Sequence, residues 1–222
     1  ALECAEEMHD MFLKAYTLDY LAYSIWRRGF AAEDPDRKRI MFEQAMELYD
    51  KAQLLFSVIS LTSPRGGTIR APGGHAEIDY YFALLETARE KRMELLERSE
   101  KAGLEALKVA EESDIPEAML HAIHVLSKTL TEQALLVPNI DAKRSLLERA
   151  VELRKSIIEQ TERLRPFDYH DRGTFYGHFA NIKAGLADIQ LDLESRKRLL
   201  EEAVLWQEKG IDSQSKARLL YE

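Results

Sequence analysis

Cysteine is all but missing from this chain: Cys4 is the only one among 222 residues. A disulfide within the chain is therefore excluded, and a lone thiol makes no metal site. That usage suits a reducing, cytoplasmic setting. Cys4 itself reads as a small apolar residue of the first helix rather than a nucleophile. Proline and glycine are scarce as well, at 6 and 10 residues, which favours long helices over short strands joined by tight turns. No apolar run approaches the roughly 18 residues needed to span a bilayer, and the N-terminus lacks a basic-then-apolar signal pattern. Lysine and arginine form no block, and the net charge of −8 repels nucleic acid and anionic membrane. His-Glu-xx-His and Cys-xx-Cys are absent, which removes the zinc-protease and zinc-ribbon patterns, and Glu-xx-His occurs once, at Glu6-Glu7-Met8-His9, where a di-iron bundle needs two copies. Glu117 and His121 stand four apart and could share a helix face, but one such pair is common. No serine or cysteine sits in a recognisable constrained turn beside a base. Neither cofactor nor metal is expected.

What the chain does have is helix-forming material in a repeated arrangement. Hydrophobic residues make up 45% and charged residues 32%, the balance of long amphipathic helices. The stretch Leu146-Leu147-Glu148-Arg149-Ala150-Val151-Glu152-Leu153 recurs in outline at Met41–Met46, Leu95–Glu100 and Leu199–Val204. Each copy is an apolar pair, a glutamate, a polar residue and then a small residue. The small residues, Ala45, Ser99, Ala150 and Ala203, are separated by steps of 54, 51 and 53 residues. Self-similarity at a near-fixed period marks a repeat architecture.

Between these anchors, apolar residues recur at steps of three and four, the spacing of a buried helix face. A first hairpin spans 6–61, broken at Asp34-Pro35-Asp36, where proline disfavours helix before it and an acidic side chain caps the next start. Residues 62–74 hold Pro64, Gly66, Gly67, Pro72, Gly73 and Gly74, and are expected to be a loop. The second pair, 75–112, has no proline or glycine at its middle, so one continuous helix or a turn near Thr87–Glu90 are both open. Ser113-Asp114-Ile115-Pro116 opens a third pair, 116–164, turning at Pro138-Asn139-Ile140-Asp141. An irregular link over 165–173 then leads to a Thr174 cap and a fourth pair, 174–210, stopped by Gly210. Asp212 or Ser213 would cap a ninth helix. The chain starts on alanine and stops at what reads as mid-helix, so the expectation is a single helical-repeat domain over 1–222 cut from a longer protein.

The motif Ala45-xxx-Tyr49-xx-Ala52 has the small–aromatic–small pattern of a tetratricopeptide second helix, and over roughly 6–211 the chain resembles tetratricopeptide-repeat proteins, with a period longer than that family's ~34 residues. The later copies lack the aromatic. The resemblance implies an all-α, right-handed superhelical stack of about four antiparallel hairpins, whose first helices line a concave surface for peptides or protein partners.

Four sets of residues carry candidate chemistry. His75, His124 and His178 lie 24 to 26 residues before the small anchors, with Asp79, Tyr80, Tyr81, Tyr176 and Asn181 nearby. They would give a groove rigid aromatic area and polar tips, or they pack at equivalent positions of each repeat. Arg27, Arg28, Lys128 and Lys183 on first helices would favour an acidic or carboxylate-ended partner, or are merely solvated. The Gly/Pro segment with Arg65 and Arg70 could cradle an anion, though it lacks the strand and Gly-Lys-Ser/Thr of a P-loop. His170-Asp171, with His121 or His124 upstream and Asp188 or Asp192 downstream, resembles the metal set of HD-type phosphohydrolases.

The functional expectation is a non-catalytic, cytoplasmic interaction module. It binds a protein, a peptide or neighbouring domains of a longer chain through Tyr23, Arg27, His75, Tyr80, Lys128, Tyr176, His178 and Asn181. The alternative is a metal-dependent phosphohydrolase of HD type using His124, His170, Asp171 and Asp188, in which a metal would activate water. Self-association through the last helix is a third reading. No nucleic acid or membrane partner is expected.

Overall fold

The computed structural model describes residues 11–60, 70–165 and 168–221. Cys4 and most of the Gly/Pro segment, including Arg65, lie outside these residues. Within them the chain is all-α, with eight helices. They are α1 (Met11–Ala31), α2 (Pro35–Ser60), α3 (Arg70–Leu85), α4 (Arg89–Glu112), α5 (Pro116–Leu136), α6 (Ile140–Leu164), α7 (Tyr169–Asp188) and α8 (Leu193–Tyr221). Residues 1–125 and 126–222 form two compact units, the division falling inside α5.

In the first unit α1 packs on α2, α2 on α3 and α3 on α4. The turn between α1 and α2 follows from Asp34, whose carboxylate accepts from the backbone N–H groups of Asp36 (3.2 Å) and Arg37 (3.4 Å). Pro35 then supplies a first helical residue that needs no hydrogen-bond acceptor. Ala22, Trp26, Phe42, Ala45, Tyr49 and Ile78 form one buried cluster, and Ala15, Leu18, Ala52 and Phe56 a second. The triplet Ala45, Tyr49 and Ala52 is thus wholly interior. Ser99 at the next repeat position is also fully buried, and its hydroxyl donates to Ala76 O at 2.7 Å.

A break at 86–88 separates α3 from α4, so the second pair is two helices. Asp114 ends α4 in the left-handed region at φ 52°. Around it Ile115 N–H reaches Ala110 O (3.1 Å) and Asp114 N–H reaches Glu111 O (3.2 Å). This is a Schellman closure with aspartate in place of the usual glycine.

In the second unit α6 packs on α7 and α7 on α8. Asn139 caps α6 by accepting from Ala142 N–H at 2.9 Å, and Leu147, Ala150, Val151, Ile157 and Ile158 form its buried stripe. Arg154, inside that stripe, donates to Ser127 Oγ and lies over the Phe175 ring. Between α7 and α8, Trp206 meets Phe179 edge-on at 5.0 Å and Tyr176 at 5.4 Å.

Three expected boundaries are corrected. Helix α3 begins at Arg70, so 70–74 are helical rather than loop; a proline in a first turn costs no bond. Helix α7 begins at Tyr169 because Asp168 accepts from Asp171 N–H at 3.1 Å. Thr174 lies inside that helix and bonds back to His170 O. Gly210 does not stop a helix, and no ninth helix starts at Asp212 or Ser213, since α8 runs on to Tyr221. Gly210 is there for closeness: a Cβ on it would sit 3.2 Å from Gly173 O and 3.4 Å from Gly177 N.

Candidate functional site

The residues singled out from sequence do not converge on one place. Tyr80, Lys128 and Tyr176 are buried, at 6%, 7% and 4% exposure, so they are packing residues rather than a contact surface. The Tyr176 hydroxyl donates to Glu162 and accepts from Arg172 at 3.1 Å. Arg27 is exposed and lies over the Trp26 ring at 5.8 Å. His75 is half-buried between Met46 Sδ and Asp50, 3.3 Å from the carboxylate, and burial holds its pKa below the ordinary imidazole value. Asp79 beside it is pushed up to about 6 by burial, against the pull of Arg98 at 3.0 Å. His178 is depressed to about 3 by burial and by Arg154 and Lys128, so it is neutral and faces cations. Asn181 is exposed on α7. Lys183 is held by Glu202 at 2.6 Å.

The HD-type set is not assembled either. His170 and Asp171 occupy the first turn of α7, while Asp188 ends that helix. The rise of 1.5 Å per residue sets His170 and Asp188 about 27 Å apart. Among the described residues no group of three or more His, Cys, Asp or Glu could hold a metal ion.

What the structure does assemble is a cavity of about 690 Å³ in the first unit, and of the predicted contacts only Tyr23 lines it. Helix α1 contributes Tyr16, Asp19, Tyr20 and Tyr23, and α2 contributes Tyr49 and Phe56. Gly73, Gly74 and Glu77 come from α3, Ala106 from α4, and Ile115, Glu117, Ala118 and His121 from the start of α5 and the residue before it. The first helices therefore supply most of the wall. The glycines let α3 approach: a Cβ on Gly74 would lie 2.5 Å from the Tyr49 ring, and one on Gly73 3.2 Å from His121.

Helix α1 builds its part of the wall with two faces. Ala15, Leu18, Ala22 and Trp26 turn into the core. Phe12, Tyr16, Tyr20 and Tyr23, spaced by four, four and three, form an aromatic ridge beside them. Tyr16 and Tyr20 rings lie 5.0 Å apart and Phe12 and Tyr16 rings 5.9 Å apart. Tyr20 and Tyr23 keep 45% and 48% of their surface exposed. The ridge was present in the sequence as a second periodic row, masked because aromatic residues also count toward an apolar core face.

The charge on this wall is acidic. Asp19, Glu77 and Glu117 line it with His121, whose Nε2 lies 3.5 Å from Glu77 Oε2. No lysine or arginine is among the described lining residues. Arg27, one of the cations expected to favour an acidic partner, lies over the Trp26 ring and does not line this cavity. Elsewhere, α8 carries an exposed apolar row of Leu193 (76%), Leu200 (42%) and Val204 (59%). Among the described residues no helix is long and apolar enough to cross a membrane.

No family model and no curated protein matches this chain. Among solved structures it is similar to a "DHF58 filament", with 17% identity and a TM-score of 0.42 over 93% of this chain and 98% of that one. It is also similar to the de novo designed helical repeat protein DHR64, with 18% identity and a TM-score of 0.42 over 93% and 99%.

Proposed function

We propose that this chain is a non-catalytic interaction module of tetratricopeptide-like kind, acting in a reducing, cytoplasmic setting. It holds a segment of another polypeptide, or of its own longer chain, in the cavity of residues 1–125. The observation that carries this reading is the open aromatic ridge of α1 facing a cavity of about 690 Å³ built mainly by first helices. Exposed tyrosines supply contact area at little entropic cost, since each has two rotatable side-chain bonds. The interior placement of Ala45, Tyr49 and Ala52 supports the tetratricopeptide likeness.

Selection of peptides from a random display library against the immobilised chain tests the reading, with Tyr20→Ala/Tyr23→Ala as the counter-screen. Both tyrosines are half-exposed, so the double variant is expected to fold with stability within about 1 kcal/mol of the parent. Selected peptides should lose about tenfold or more in affinity on it. Peptides that bind the double variant equally well would place recognition elsewhere on the chain. A Tyr80→Ala/Tyr176→Ala variant does not serve, because both side chains are interior and their loss reports on folding.

A further inference from the structure

We infer that the exposed apolar row of α8 is a docking face for one more amphipathic helix of α7's kind, carried by a partner polypeptide. The inference concerns a second surface, apart from the cavity of residues 1–125. Helix α8 opens as a copy of α6. Asp192 accepts from Ser195 N–H at 2.8 Å as Asn139 accepts from Ala142 N–H at 2.9 Å. At the step of 53 residues that separates Ala150 from Ala203, Leu147, Val151 and Ile158 recur as Leu200, Val204 and Ile211. The bordering charges recur too, Lys143, Arg144 and Glu148 as Arg196, Lys197 and Glu201. Residues spaced by four and seven share one face of a helix. On α6 the three apolar residues are 2%, 7% and 6% exposed, and on α8 they are 42%, 59% and 59% exposed.

The helix that covers this row on α6 defines what fits it on α8. Helix α7 packs on α6, and a Cβ on Gly185 would lie 3.5 Å from both Leu147 methyl groups. The α7 backbone therefore passes close over Leu147, and Phe175 lies against Arg154 further along the same crossing. In the first unit the corresponding residues meet in the same way. Phe42 stands at the place of Leu147, and Tyr81 precedes Ser99 by 18 residues as Gly185 precedes Ala203. Their rings lie 6.0 Å apart. Second helices in this chain thus bury the row under the first helix of a following pair, the way stacked repeats share a core. A second copy of the chain does not supply that helix. Its own α7 is already packed between α6 and α8, and its α1 has Arg27 where α7 has Gly185. The occupant is a helix with glycine or alanine opposite Leu200 and apolar side chains a turn to either side.

The test is a titration of the methyl-labelled chain with a synthetic peptide of residues 169–188, the helix that covers the row on α6. The methyl signals of Leu200, Val204 and Ile211 should shift. A peptide carrying Gly185→Leu should bind at least fivefold more weakly. Leu200→Asp/Val204→Asp in the chain should weaken the parent peptide about tenfold or more. Both side chains point to solvent, so that variant should keep the helical circular dichroism of the parent. Sedimentation should show the chain alone as a monomer. Equal binding of the two peptides, no binding of either, or shifts confined to another face overturns the inference. So does a dimer that Leu200→Asp/Val204→Asp dissociates, since a second copy would then own the row. Shifts at Tyr20 and Tyr23 alone would count for the cavity of the first unit and against the α8 face, so the two readings fail separately.

Discussion

Helix α7 holds Gly173, Gly177 and Gly185 within 20 residues, and the structure assigns the first two opposite responses to the same substitution. Glycine in a helix interior costs about 1 kcal/mol relative to alanine, so each replacement starts with a gain of that order. At Gly177 a new Cβ would meet only Gln207 Oε1, at 3.9 Å, and Gly177→Ala is expected to stabilise by about 0.5–1 kcal/mol. At Gly173 the Cβ would lie 2.6 Å from Gln214 Cγ, 3.0 Å from Gly210 O and 3.2 Å from Gln214 N. Two of those atoms are backbone, so no rotamer change relieves them and α8 must move away. Overpacking of that kind costs about 1–3 kcal/mol, which offsets or exceeds the helical gain of about 1 kcal/mol and leaves Gly173→Ala destabilised by up to about 2 kcal/mol. Urea unfolding followed by helical circular dichroism reads both variants, with an unchanged slope licensing the comparison of midpoints. Gly210→Ala approaches the same crossing from the other side, with contacts of 3.2 and 3.4 Å to backbone. Combined with Gly173→Ala it should cost less than the sum, since one methyl already opens the crossing. Midpoints of Gly173→Ala and Gly177→Ala that move the same way would refute a close α7–α8 backbone approach.

Two further outcomes follow from local chemistry. Asn139→Ala removes the side chain that accepts from Ala142 N–H and should cost about 1 kcal/mol in the same urea experiment. An Asn139→Ser variant should recover most of that loss. Two buried groups should give opposite slopes of stability against pH. Asp79 has its folded pKa raised from 3.8 to about 6, chiefly by burial, so its contribution is full below pH 3.8 and is lost as pH rises through 6. His178 is lowered from 6.5 to about 3, so its contribution is full above pH 6.5 and is lost as pH falls toward 3. Unfolding midpoints across this range should show the upper decline flattened by Asp79→Asn and the lower one by His178→Gln, each on the order of a few kcal/mol. A slope unchanged by its own variant would rule out that group as the source.

The helical content was legible in the residues themselves, while the break at 86–88 was not, since one continuous helix and two were both open there. Steps of three and four in apolar residues state a helix face without reference to anything distant. Ala45, Ser99, Ala150 and Ala203 were readable as close-packing positions, and all four are buried. Punctuation was harder. Pro72, Gly73 and Gly74 read as loop, yet they form the first turns of α3, because glycine is equally the residue that lets a helix end come up against the Tyr49 ring. Gly210 read as a stop for the same reason and proves to be a crossing point.

The candidate site was the least legible part. Tyr23 was recognised and Tyr16, Tyr20, Asp19 and Glu77 were not, since a tyrosine on a helix satisfies a core face and a binding face equally well in one dimension. Which it does depends on whether a neighbouring helix covers it, and that is a property of the packed unit alone. The same holds for charge: Lys128 and Arg27 carried the expected sign for an acidic partner, but packing buried the first and stacked the second on Trp26. Local periodicity, which needs only nearest neighbours along the chain, thus determined the helices. The face left open, and the sign of the charge gathered on it, were decided by contacts between residues far apart in sequence.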